Sequence, residues 1–128
     1  MAMYILDTNV VIYFLDSSLS SSALQFLKNV VDDRPIISVI TKMETLGFNF
    51  KSVSEQTIME TFINGSELIN IDDAVVNKTI AIRKNKKIRL PDAIIAATAM
   101  VYNLKLITHN TSDFKNISDL QLIDLKDL

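Results

Sequence analysis

Five short runs rich in β-forming residues, at residues 3–6, 36–39, 68–71, 104–108 and 121–125, punctuate the chain. Each has the length of a strand and is bounded by polar or turn-forming residues, so the pattern predicts five strands. Between them the apolar positions change to helical spacing. Ala23, Leu24, Leu27, Val30 and Val31 recur three and four apart behind the serine cluster 17–22, which supplies a cap. Ser54 is expected to cap a second helix, with Val53 and Ile58 as a hydrophobic staple, Ile58, Met59, Phe62 and Ile63 inward, and Gly65 ending it. Asp72 is expected to cap a third, with Ile71 and Val76 in the same staple relation. Pro91 fits the first position of a helix running to about Tyr102, and its stretch 93–97 is apolar on every side, the pattern of a buried helix. Strands alternating with helices in this way predict an α/β protein whose sheet is mainly parallel and covered on both faces.

Length and composition narrow the chemistry. A chain of 128 residues is expected to form a single domain, residues 1–128. Cysteine is absent, which excludes disulfides, thiolate nucleophiles and cysteine metal sites. His109 is the one histidine, so no multi-histidine metal site can be built within a chain. With only Gly47 and Gly65, neither glycine-rich phosphate loop is possible. The longest uncharged stretch, residues 93–104, is too short to span a membrane, and the apolar N-terminus has no basic lead; a cytoplasmic protein with no membrane partner is expected.

Thirteen basic residues stand against fifteen acidic ones, a formal charge of −2, so any contact with nucleic acid must be local. Most carboxylates fall at turns or on polar helix faces. Four do not. Asp7 closes the first strand; Glu44 follows Ile40 by four residues, near the inward face of a short helix; Asp92 stands in the first turn of the buried helix; Asp113 follows the fourth strand. In an open α/β sheet, sites form beyond the carboxyl ends of strands where strand order reverses. Carboxylates gathered there repel one another unless a cation sits among them, and hard oxygen ligands favour Mg²⁺ or Mn²⁺. Each acid also has a plainer reading: Asp7 as a strand end, Asp92 as a helix-start residue, Glu44 at a helix edge, Asp113 in a turn.

The segments Leu6-Asp7-Thr8-Asn9, Arg89-Leu90-Pro91-Asp92-Ala93 and Thr108-His109-Asn110-Thr111-Ser112-Asp113-Phe114 resemble the signature segments of PIN-domain proteins, in particular the VapC-type toxins of type II toxin–antitoxin pairs. The resemblance covers nearly the whole chain, and Glu44 joins it by position. It implies a three-layer α/β/α fold around a five-stranded sheet of order 3-2-1-4-5, a Mg²⁺-dependent endoribonuclease, a homodimer, and a cognate antitoxin that occludes the site. On this resemblance Asp7 and Asp92 match the principal metal ligands, Glu44 the third acid and Asp113 the fourth. Thr8, Asn9, Thr108 and Asn110 match positions behind the ligands, where hydroxyls and amides fix carboxylate rotamers; local turn capping is the competing role.

Arg83, Lys84, Lys86, Lys87 and Arg89 place five cations in seven residues just ahead of Asp92. They read as a phosphate-contacting rim for RNA or as a solvated helix end matched to its dipole, and the two are compatible. The resemblance gives His109 no role. Two other functions compete with a toxin ribonuclease: a stand-alone PIN nuclease and a non-catalytic PIN-fold binding module. A phosphatase built on the acid after the first strand would want Asp at position 9, where Asn9 stands.

Overall fold

The computed structural model describes residues 3–128. The five runs form the strands β1 (Tyr4–Leu6), β2 (Ile36–Ser38), β3 (Glu67–Ile69), β4 (Lys105–Thr108) and β5 (Leu122–Asp124). All neighbouring pairs are parallel, and the sheet order is β3-β2-β1-β4-β5, the order that the resemblance implies. The central strand β1 therefore pairs on one side with β4, Ile5 opposite Leu106 and Leu6 opposite Ile107, across a hundred residues of chain.

Successive strand residues point to opposite faces, and here both faces are dry. Ile5, Ile36 and Leu106 join one buried cluster, while their neighbours Leu6, Ile37 and Ile107 join the other. The first cluster is closed by α5 (Asp73–Asn85), through Val75 and Ile82, and by α6 (Leu90–Val101), through Ala93, Ile95, Ala96, Ala97 and Ala99. Four alanines without bulk let α6 lie close to the sheet. The second is closed by α1 (Thr8–Leu15) through Val10 and Val11, α2 (Ser21–Asp32) through Ala23, Leu27 and Val30, and α4 (Val53–Gly65) through Met59 and Ile63. The short helix α3 (Val39–Leu46) follows β2 directly, its start capped by Ser38, whose Oγ accepts from the Ile40 N–H at 3.0 Å.

Several local expectations hold. Ser20, within the serine cluster, caps α2, and the Asp72 Oδ1 accepts from the Val75 N–H at 2.9 Å to cap α5. Others shift. The cap of α4 is Ser52, accepting from the Glu55 N–H, so Val53 is the first helical residue and no staple forms: Val53 is 82% exposed and Ile58 53% exposed. Arg89 precedes α6, which puts Pro91 at its second position, where the missing N–H still costs no helical bond. Val39 begins α3 instead of ending β2. The helix α1 carries no sequence period, because residues 10–15 are apolar without interruption.

Candidate active site

A parallel sheet of this order has one point where the chain reverses its direction of winding, between β1 and β4. Asp7 sits there, one residue past β1. It ends the strand and starts α1 at once: its N–H donates to the Ile107 carbonyl (3.0 Å), its Oδ1 accepts from the Thr8 N–H (2.9 Å), and its Oδ2 accepts from the Thr108 hydroxyl (2.8 Å). Thr108, the last residue of β4, has no exposed surface, and Asp7 is 5% exposed. Burial raises the proton affinity of the Asp7 carboxyl; the bonds from Thr108 and Thr8 oppose it, and the charges of Glu44 and Asp113 add to it.

Asp92 lies in the first turn of α6. Its carboxyl is pushed up to about 6, first by burial, then against the pull of Arg89 by the charges of Asp113, Asp7 and Glu44. Arg89 approaches it at 3.7 Å from Nε to Oδ2. The four acids picked out in the sequence, from β1, α3, α6 and the turn after β4, thus share one electrostatic neighbourhood.

The flanking polar residues are arranged around them. The Thr8 hydroxyl donates to Glu44 Oε1 (2.7 Å); since that spends its proton, the neighbouring Thr41 hydroxyl, 3.0 Å away and fully buried, is the donor to Thr8. The Asn110 N–H donates to the Thr108 Oγ1 (3.1 Å), and its Nδ2 donates to Asp113 Oδ2 (2.8 Å). Ser112 in turn donates to Asn110 Oδ1 (2.7 Å). Asp7 and Asp113 are therefore joined through Thr108 and Asn110. Asn9 is placed differently: its Oδ1 accepts from the backbone N–H of His109 (3.3 Å), so it braces a loop and not a carboxylate. Glu44 is on an exposed edge of α3, turned toward Thr8, not on the inward face. Thr41 and Ser112 escaped the sequence reading; Thr41 stands three residues before Glu44, on the same side of α3, which was the one available signal.

The donor set suits a hard divalent ion: carboxylate oxygens only, with the proton affinity of Asp7 and Asp92 raised first by burial and further by the like charges near them. As the side chains stand, no three of the histidine, aspartate and glutamate residues among the described residues converge closely enough to hold an ion together. Glu44 and Asp113 are each hydrogen-bonded to a neighbouring side chain, Thr8 and Asn110 respectively. Beside this neighbourhood, Arg83, Lys84, Lys86 and Lys87 line an open groove of about 540 Å³ floored by Ile80, Ile88 and Leu90. Arg89 is drawn toward Asp92 instead. No helix among the described residues is long and apolar enough to cross a membrane.

Known proteins with the same pattern agree with this picture. Residues 4–120 match the PIN domain family model. Ribonuclease VapC1 of Haemophilus influenzae is 28% identical, over 95% of this chain and 97% of its own length. A toxin–antitoxin complex from Klebsiella pneumoniae is 30% identical with a TM-score of 0.73, covering 95% of this chain and 97% of the matched one. DNA-bound VapBC from Salmonella typhimurium is 26% identical with a TM-score of 0.82, covering 98% and 99%. With a sheet of matching order, acids at the reversal point and a family match over nearly its full length, the chain belongs to the PIN domain family.

Proposed function

We propose that this protein is a Mg²⁺- or Mn²⁺-dependent endoribonuclease and the toxin of a type II toxin–antitoxin pair, acting in the cytoplasm as a homodimer and held inactive by a cognate antitoxin. The observation that carries the reading is the gathering of four carboxylates at the sheet's reversal point: Asp7 and Asp113 joined through Thr108 and Asn110, Glu44 held by Thr8, and Asp92 lifted by burial and by the charges of the other three. The likeness to a curated ribonuclease and to toxin–antitoxin complexes supports the substrate and the partner.

Asp7 and Asp92 would hold the ion, with Glu44 and Asp113 completing its surroundings. Once bound, it supplies Lewis-acid polarisation of the phosphodiester and acidifies the attacking water. The chain's own contribution is orientation. Thr108 fixes the Asp7 carboxylate rotamer, Thr8 fixes Glu44, and Asn110 ties Asp113 to the same framework. Arg83, Lys84, Lys86, Lys87 and Arg89 offer phosphate contacts that an acidic crevice on a chain of net charge −2 otherwise lacks.

The direct test is cleavage of a mixed cellular RNA preparation with Mg²⁺, Mn²⁺ or EDTA. Cutting is expected with either metal and none with EDTA; full activity in excess EDTA removes the metal mechanism. The basic rim is checked separately by changing Lys84, Lys86 and Lys87 together to Glu and measuring RNA affinity against salt. Each lost phosphate contact should flatten the log–log slope by roughly 0.7 for a single strand. An unchanged slope returns these lysines to plain solvation.

A further inference from the structure

Three residues near the crevice have no part in holding carboxylates: Asn9, Tyr13 and His109. The structure joins them. His109 lies between Thr108, whose hydroxyl holds Asp7, and Asn110, whose amide holds Asp113, so it is threaded into the framework of the crevice itself. Its backbone N–H is held by Asn9 Oδ1, and its ring meets the Tyr13 ring at 4.7 Å between centroids, inclined by 62°. Asn9 and Tyr13 are four residues apart on α1 and so share one helix face, starting two residues after Asp7. A single helix face thus clamps both the backbone and the ring of His109. Tyr13 and His109 are both partly exposed, and an edge-inclined pair covers at most one face of each ring.

We propose that Tyr13 and His109 form a stacking platform for a nucleobase of single-stranded RNA next to the carboxylate crevice, with Asn9 as the residue that positions it. This rests on the ribonuclease reading above and names what that reading leaves open: how the site grips a base as well as a phosphate. The acids and the basic groove address only the charged backbone of RNA. Unstacked bases of single strands are gripped by aromatic and histidine faces, and such stacking tolerates any base because every base has a π face. A platform within the Thr108–Asn110 segment couples the position of the base to the two carboxylates that this segment holds. The plainer alternative is that the rings only lock the loop after β4.

The experiment measures binding, by fluorescence anisotropy, of a short labelled oligoadenylate and of an abasic ribose–phosphate oligomer of equal length, with Ca²⁺ present to neutralise the acids. Wild type should prefer the oligoadenylate, and His109→Ala and Tyr13→Ala should each lose roughly 5- to 100-fold of that preference, the range for one stacked base. Affinity for the abasic oligomer should stay the same. His109→Phe should restore the preference, because it keeps a ring face and discards the imidazole's hydrogen bonding. Because Tyr13→Ala touches a helix, His109→Ala in the loop is the deciding variant if the former does not fold. Equal binding of the two oligomers by wild type, or a preference that survives His109→Ala, overturns the platform and leaves the ribonuclease reading standing. Loss of affinity for both oligomers alike in His109→Ala assigns the rings to loop locking and also overturns it. No binding of either oligomer by wild type overturns both readings.

Discussion

Asp92→Asn is expected to abolish RNA cleavage and, in the same molecule, to raise the melting temperature of the metal-free protein at neutral pH. An unfolded aspartate titrates near its ordinary value of 3.8, whereas in the fold Asp92 is held up to about 6. Ionising it in the folded state therefore costs up to about 3 kcal/mol at roughly 1.4 kcal/mol per unit, and about 1–3 kcal/mol is the working range. The sign follows from linkage. Below about pH 4 the group is protonated in both states and costs nothing; as pH rises toward 6 the unfolded chain ionises first, and stability falls; above about 6 the full penalty is present. Asparagine keeps the shape and removes the charge. Melts in EDTA should show the variant ahead by several degrees at neutral pH and level with wild type near pH 4. On the proposed metal role of this carboxylate, Mg²⁺ should then raise the wild-type melting temperature more than the variant's. A variant that melts lower than wild type at neutral pH in EDTA, or that cuts RNA normally, assigns Asp92 to the helix start alone.

The second large effect concerns Phe114. This side chain is 1% exposed and packs with Leu106 and the alanines of α6, and it closes the 3₁₀ turn Thr111–Phe114 that carries Asp113. Truncation leaves a cavity beside the sheet at the last buried anchor before the chain turns toward β5. Phe114→Ala should cost about 3–5 kcal/mol, against a total stability of about 5–15 kcal/mol for a domain of this kind. In urea the midpoint should fall accordingly with little change in slope. Phe114→Leu, which refills most of the volume, should recover well over half of the loss. Cleavage should fall more steeply in the alanine variant than its folded fraction does, because the turn that places Asp113 loses its anchor. A loss below about 1 kcal/mol would show that the turn is held by its polar contacts instead.

Of these two residues the sequence singles out Asp92 alone, and the reason is physical; the burial of Phe114 comes from the structure. Asp92 precedes a run of residues that is apolar all round, and a carboxylate at the mouth of a buried helix can only be solvated, paired or used. The strands were equally legible, because each is a short run rich in Ile and Leu bounded by turn-forming residues, most strongly in β1, β2 and β4, which lie within the core. The order of those strands was not: nothing in the runs themselves says that β1 lies between β2 and β4, and it was the resemblance that supplied it. The helix α1 was missed for a related reason. Residues 10–15 are apolar without a period, so neither helix nor strand spacing stands out; α1 starts where Asp7 ends the strand, its carboxylate accepting from the Thr8 N–H and its carbonyl from the Val10 and Val11 N–H groups. The sequence alone does not separate Ser54 from Ser52 as the cap of α4, because both offer the same hydroxyl and only the backbone decides that Ser52 accepts from the Glu55 N–H. Asn9 shows the limit for site residues. Its neighbours in the motif face carboxylates, but a residue two positions along a new helix has turned well away from the first, toward the loop that carries His109.

The pairing of β1 with β4 also sets a timetable. Asp7 is made 101 residues ahead of Thr108, the residue whose hydroxyl holds it. Until the chain has been made past that residue, β1 has no partner on one side, and the acids that follow it have no framework to face. Closing so long a loop is slow and entropically costly, and it comes before the contacts that repay it. A nuclease organised this way cannot be assembled piecemeal on the ribosome that is making it; its crevice appears only when the two halves of the chain meet.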